Sequence, residues 1–265
     1  MKFLTLLFST ATLLFSQTYY AKVEPYEMKN ISSNVAGLVL AIDEDNIGKV
    51  LTKKSYISID DEINQRELLS IKDKIEYLRE TVNNSKYILN NLKLSLDKKR
   101  KNYKKIERLS IKSVVEKDRE FHDLINSENS YLNTKKEINS LKIQITDLKF
   151  RRAQLSRTIK DKNLKAEGFT LYSILVEVGQ VVNISTPLAK VADVSKAKLT
   201  IFLNDSDVLD TKNKIIYIDN VKTKYKIDRV LKIADSINIS KYKAQIIIDA
   251  PKLFSTLVQV DLRDE

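Results

Sequence analysis

Few residues in this chain could make or break a bond, and those few are poorly placed for it. The single histidine, His122, sits beside Asp123 in a stretch dense with charge, where an exposed imidazole is expected rather than a general base. The carboxylate pairs Asp43 with Asp45 and Asp205 with Asp207 fall in turn-like segments, where aspartate accepts from nearby backbone amides. Neither pair has the further ligands and the bend glycine of a calcium loop. There is no cysteine, hence no thiolate nucleophile, disulfide or cysteine zinc site. With only four glycines, no phosphate-cradling G-x-G-x-x-G or G-x-x-x-x-G-K-[ST] occurs. An enzyme is not expected, and no catalytic residue, cofactor or metal is assigned.

Recognition chemistry is better supplied. The formal charge is +11, and Asp61 to Asn163 holds 25 basic against 16 acidic residues, a net +9. The densest run is Lys98-Lys99-Arg100-Lys101, followed by Lys104, Lys105 and Arg108. Cations gathered at one place suit an acidic or phosphate-bearing partner. Just after them, Ser113-Val114-Val115-Glu116 reads as a capping box, the serine hydroxyl and the glutamate carboxylate each satisfying a free amide where a helix begins.

The elements that position these residues follow from composition. From Asp61 to Asn163 there is neither Gly nor Pro, which is the composition of long helix. Apolar residues recur at alternating steps of three and four from Leu68 to Ile106 and again from Leu124 to Ile159, two coiled-coil seams. The capping box lies at their midpoint, so the chain turns back near 109–113 as an antiparallel hairpin. Each arm of roughly 47 residues would be about 70 Å long.

Flanking the hairpin are Gly37 with Gly48 and Gly168 with Gly179, pairs of equal spacing with apolar neighbours in register, each read as small strands joined by turns that need φ > 0. β-rich runs from Lys198 onward predict a small antiparallel barrel or sandwich. At the start, Met1-Lys2 and an apolar run from Phe3 to Phe15 read as a secretory leader, too short to span a bilayer of about 30 Å, with Ser16 or Ala21 as the cut.

A β half-motif, a long helical hairpin, the matching half-motif and a barrel behind a leader resemble the periplasmic adaptor subunits, or HlyD-like membrane fusion proteins, of tripartite efflux and secretion systems. The most family-like stretch runs from Gly168-Phe169-Thr170 through Gly179-Gln180-Val181-Val182 to Pro187-Leu188, then Asp193 to Leu199. The family often has a further Gly where Thr186 and Ser55 stand.

The resemblance implies an α+β fold: a hairpin (61–163) inserted into a lipoyl-like domain (22–60 and 164–196), followed by a β-barrel domain (197–265), after a leader (1–21). It implies a periplasmic protein held at the inner membrane through its transporter, probing an outer-membrane channel of the TolC kind with the hairpin tip. It also implies a hexameric ring. The inner-membrane partner is a resistance-nodulation-division pump, favoured by the lack of an anchor, or an ATP-driven transporter of type I secretion.

The family tip pattern R-x3-L-x6-S, continued as S-x-x-E-x-D, falls on Asn102, Ile106, Ser113, Glu116 and Asp118. Asn102 departs from the arginine, and Arg100 or Lys101 stands near enough to supply a cation. Two rivals fare worse. A biotin or lipoate carrier lacks its M-K-M or D-K-A lysine, and a nucleic-acid-binding coiled coil would show more aromatic residues near its cations than Tyr103 alone.

Overall fold

A computed structural model describes residues 17–211, 214–234, 238 and 240–263; the expected leader, Phe3 to Phe15, lies outside them. In chain order, β1 (Gln17–Ser32), β2 (Gly37–Ile42) and β3 (Ile57–Ile59) precede α1 (Glu62–Glu107) and α2 (Val114–Lys162). Then come β4 (Asn163–Leu164), β5 (Thr170–Ile174), β6 (Val181–Val182), β7 (Pro187–Leu203) and α3 (Asp205–Leu209). The chain closes with β8 (Ile215–Ile218), β9 (Val221–Lys222), β10 (Ile227–Ala234), β11 (Tyr242–Asp249) and β12 (Leu257–Arg263). These elements form two compact units, Ile59–Leu164 and the remaining described residues.

The first unit is the helical hairpin. Ile71, Ile75 and Val82 of α1 are buried with Ile138, Ile145 and Leu155 of α2, all at the three–four spacing, and Leu96 is buried further along α1. Two polar positions of the seam are the small side chains Ser85 and Ser127, both buried. Cross-helix pairs flank it: Arg151 with Glu67 at 2.9 Å and Arg100 with Glu128 at 2.6 Å. Exposed pairs of this sort are worth about 0.2–1 kcal/mol, against about 1.5–3 kcal/mol for each large side chain fully buried. The seam therefore holds the hairpin. Its open end is clasped by polar side chains: Lys162 Nζ donates to the Asp60 carbonyl and to Asn64 Oδ1, and Asn163 Nδ2 donates to Asp61 Oδ2 at 2.7 Å.

The second unit is all strand apart from short helical turns. Its main sheet has the order β10-β11-β7-β1-β12-β8-β9, with β5 also on β7. β1 and β7 are long enough to serve two neighbourhoods. Gln17–Lys22 of β1 pair with β12, whereas Val23–Ser32 pair with β7. Alternation then buries Tyr19, Ala21 and Val23 with Ala197, Leu199, Ile201 and Leu203 in one core. Around the other halves of these strands, Val39, Ile57, Leu171, Val182, Leu188 and Val191 are buried.

The two glycine-marked segments bond to each other reciprocally. Gly48 N–H donates to the Leu171 carbonyl and Gly168 N–H to the Leu51 carbonyl, while Gly179 N–H donates to Val39 and Val39 N–H to Gln180. Gly48, Gly168 and Gly179 have φ between +82° and +88°.

Two expectations need correcting. Gly37 is no turn residue: it opens β2 opposite Val182. The barrel does not close, because among the described residues the sheet is an open path ending at β10 and at the two-residue β9. Ala21, one of the two positions read as the leader's cut, lies inside β1. Tyr19-Ala21-Val23 place an apolar side chain at every second position, and Tyr19 and Ala21 are only 7% and 2% exposed.

Candidate functional site at the hairpin tip

α1 ends at Glu107 and α2 begins at Val114, so six residues make the bend. Ser113 is extended (φ −65°, ψ 156°) and caps α2. Glu116 N–H donates to Ser113 Oγ at 3.3 Å, while Ser113 N–H donates to Glu116 Oε2 at 3.0 Å. Lys112 Nζ meets the other carboxylate oxygen at 3.0 Å. The lysine, and after it the Ser113 amide and hydroxyl, hold the Glu116 carboxyl down at about 2. Across the bend, Lys117 Nζ donates to the Glu107 carbonyl at 3.1 Å, satisfying a free acceptor at the end of α1. Side chains of the bend and of the first turn of α2 therefore tie it into one shape.

The residues singled out from sequence scatter around this bend. Ser113 and Glu116 come together as the cap, and Asp118 is exposed one turn on. Ile106 is half-buried at the last seam position of α1, while Asn102 is exposed beside the seam. Arg100 is not a free cation, since Glu128 of α2 engages it at 2.6 Å. Lys101 is exposed and takes part in no ion pair among the described residues. Tyr103 stacks toward Phe121 across the seam, ring centroids 5.6 Å apart, so its ring packs within the hairpin.

Sequence reasoning missed the apolar apex. Ile111, Val114 and Val115 are 85%, 73% and 77% exposed, with Leu109 partly exposed beside them. Their signal was present: Leu109-Ser110-Ile111-Lys112-Ser113-Val114-Val115 is rich in aliphatic residues where a solvated bend should be polar.

The other carboxylate pairs are structural. Asp43 Oδ2 accepts from Asn46 Nδ2 in a single 3-10 turn, Glu44–Asn46, and Asp207 is buried, accepting from the Tyr19 hydroxyl. His122 is exposed, its ring beside Phe121. No described helix is long and apolar enough to cross a membrane.

No protein-family model matches this chain, and no curated protein does. Solved structures do. MacA from Actinobacillus actinomycetemcomitans superposes over 96% of this chain and 79% of its own, at 18% identity and a TM-score of 0.67. A MacA–MexA chimeric protein containing the Pseudomonas aeruginosa MexA α-hairpin domain covers 96% of this chain at 16% identity, with 83% of its own length matched and a TM-score of 0.59. The membrane fusion protein Spr0693 from Streptococcus pneumoniae R6 is matched over its whole length, covering 94% of this chain at 9% identity and a TM-score of 0.64. The chain has the membrane fusion protein fold. At such low identity the likeness is one of backbone, so the surface that this membrane fusion protein fold presents at its tip has to be read from its own residues.

Proposed function

We propose that this protein is a non-catalytic periplasmic adaptor. In this reading it joins an inner-membrane transporter to an outer-membrane channel of the TolC kind for the efflux of small molecules. The observation that carries it is the hairpin tip: a bend held in one shape by its own side chains, displaying aliphatic residues that nothing in the hairpin covers. An apolar projection with a fixed backbone is suited to docking, because less conformational freedom is lost when a partner covers it.

The reading extends to the rest of the molecule. The two reciprocally bonded glycine segments are proposed as the halves of a lipoyl-like domain, the remainder of the sheet as the counterpart of the family barrel, and the working state as a hexameric ring. Export by the leader places the protein in the periplasm. The transporter is a resistance-nodulation-division pump, with an ATP-driven type I secretion partner as the second reading.

A strain lacking the gene, complemented with the parent chain or with Ile106→Asp or Val115→Asp, tests this through accumulation of a fluorescent efflux dye. Both variants are expected to accumulate dye as the deletion does, at matched levels of exported protein. Parent-like export by both would remove tip docking from the mechanism.

A further inference from the structure

The basic run before the bend divides by direction. Two of its cations turn inward: Lys99 donates to the Asp123 carbonyl at 3.3 Å, and Arg100 pairs with Glu128. Lys98, Lys101, Lys104, Lys105 and Arg108 do not. All of these but Lys104 recur at steps of three, four and three, on the side of α1 away from the seam, and these four are exposed. None takes part in an ion pair among the described residues. Asp97 and Glu107 lie on the same helix without pairing to them. Four like charges stacked at helical spacing repel one another, and no ion pair among the described residues neutralises any of them.

We propose that this face is a recognition ladder for an α-helix of the docking partner that carries carboxylates at the same three–four spacing, with the apolar apex seated in a pocket at that helix's end. The proposal rests on the tip being the docking surface and specifies the chemistry of what it docks to.

Spacing favours a helix. Successive rungs rise about 4.5–6 Å along α1, which is also the spacing of side chains on one face of a second helix laid alongside. A strand presents same-face side chains about 6.8 Å apart and drifts out of step within three rungs. A lipid surface has no register to match a single file about 15 Å long.

The composition fits as well. Three of the four rungs are lysine, a compact point charge that steers approach and tolerates small errors of position, unlike the bidentate fork of arginine. Ile111, Val114 and Val115 would form the desolvated centre of such an interface, and the ladder its charged rim.

The test needs no identified channel. Two helical peptides of identical composition serve as probes, one with glutamates at positions 1, 4, 8 and 11 on one face, the other with the same glutamates spread around the helix. Binding to the full chain is read by fluorescence anisotropy at 20 and 300 mM salt.

The single-face peptide is expected to bind at least tenfold more tightly at low salt and to lose that preference at high salt. The preference should vanish in the chain carrying Lys98→Glu, Lys101→Glu, Lys105→Glu and Arg108→Glu. It should survive in a control with the same charge change elsewhere on the hairpin, Lys86→Glu, Lys142→Glu, Lys149→Glu and Lys160→Glu. Circular dichroism checks that both variants stay helical, and glutamine in place of glutamate at the four rungs should give an intermediate preference.

Equal binding of the two peptides, or equal loss in ladder and control variants, overturns the ladder. Failure of the channel reading shows elsewhere, as dye export that survives Ile106→Asp and Val115→Asp.

Discussion

The Tyr19 hydroxyl donates a hydrogen bond to Oδ2 of Asp207, joining the first described strand to a short helix 188 positions later. The Tyr19 hydroxyl oxygen in turn accepts from the Asn204 amide. Burial, and then the bond to Asp207, push the Tyr19 hydroxyl far above the usual tyrosine range. Tyr19→Phe leaves a buried carboxylate without its donor and should cost about 1–3 kcal/mol in urea unfolding. Asp207→Asn keeps an acceptor and should cost less; no measurable loss in Tyr19→Phe would show that the bond contributes nothing.

The same contact bears on processing. A cut after Ala21 would remove Thr18 to Ala21, with their pairing to β12 and two core side chains. The mature protein is expected to retain Thr18, with cleavage before Gln17. Intact-mass measurement on the processed protein decides this, and a chain beginning at Lys22 would refute it.

Acid should loosen the bend first. The Glu116 carboxyl is lowered to about 2 from its ordinary value near 4.5. Its ionised form therefore stabilises the cap fully above about 4.5, and that contribution is lost as pH falls through about 2. Amide exchange at Glu116 should accelerate over that window while the seam stays protected. Glu116→Gln should flatten the dependence; an unchanged profile in that variant would assign the transition to another group.

Seam and apex should respond differently to substitution. Ile75 is 3% exposed in the seam, and Ile75→Ala should cost about 2–5 kcal/mol by leaving a cavity. Val115→Asp, at a position 77% exposed, should change hairpin stability by no more than about 0.5 kcal/mol. Thermal melts followed at 222 nm separate the two. Comparable losses would mean that the apex is packed in solution.

Ser185 has φ +70° in the turn before β7, with its N–H donating to the Ser33 carbonyl at 2.8 Å. The left-handed position thus falls on a serine, one residue before the Thr186 at which the family resemblance would place glycine. Glycine relieves left-handed strain of about 1–2 kcal/mol but adds freedom to the unfolded chain. Ser185→Gly should gain up to about 1 kcal/mol net, and a loss in chemical denaturation would show that the serine is held there by more than its backbone.

The hairpin was legible because its information is periodic and local. Ile71, Ile75, Ile138 and Ile145 repeat every three or four residues, and Ser113 with Glu116 marks the restart of helix without reference to anything distant. The β unit was less legible because its information is not local. Nothing near Tyr19 announces a partner at Asp207, and nothing near Gly37 says that it pairs with Val182 while Gly168, its counterpart in the repeat, takes a positive φ. At the tip, charge was easy to count, but direction was not. Sequence alone does not tell that Arg100 turns inward to Glu128 while Lys101 turns out, and Ile111 was hidden by reading the bend only as a cap.

The polar clasp at the open end of the hairpin makes its length a free variable. Lys162 and Asn163 hold Asp60, Asp61 and Asn64 whether the arms beyond them have six heptads or four, since none of these bonds reaches past the first turn of α1 and the last residues around α2. Removing one heptad from each arm would shorten the hairpin by about 10 Å and return the two ends to the same place. The hairpin is thus an interchangeable gauge, with a standard fitting at one end and a reach set by whole heptads.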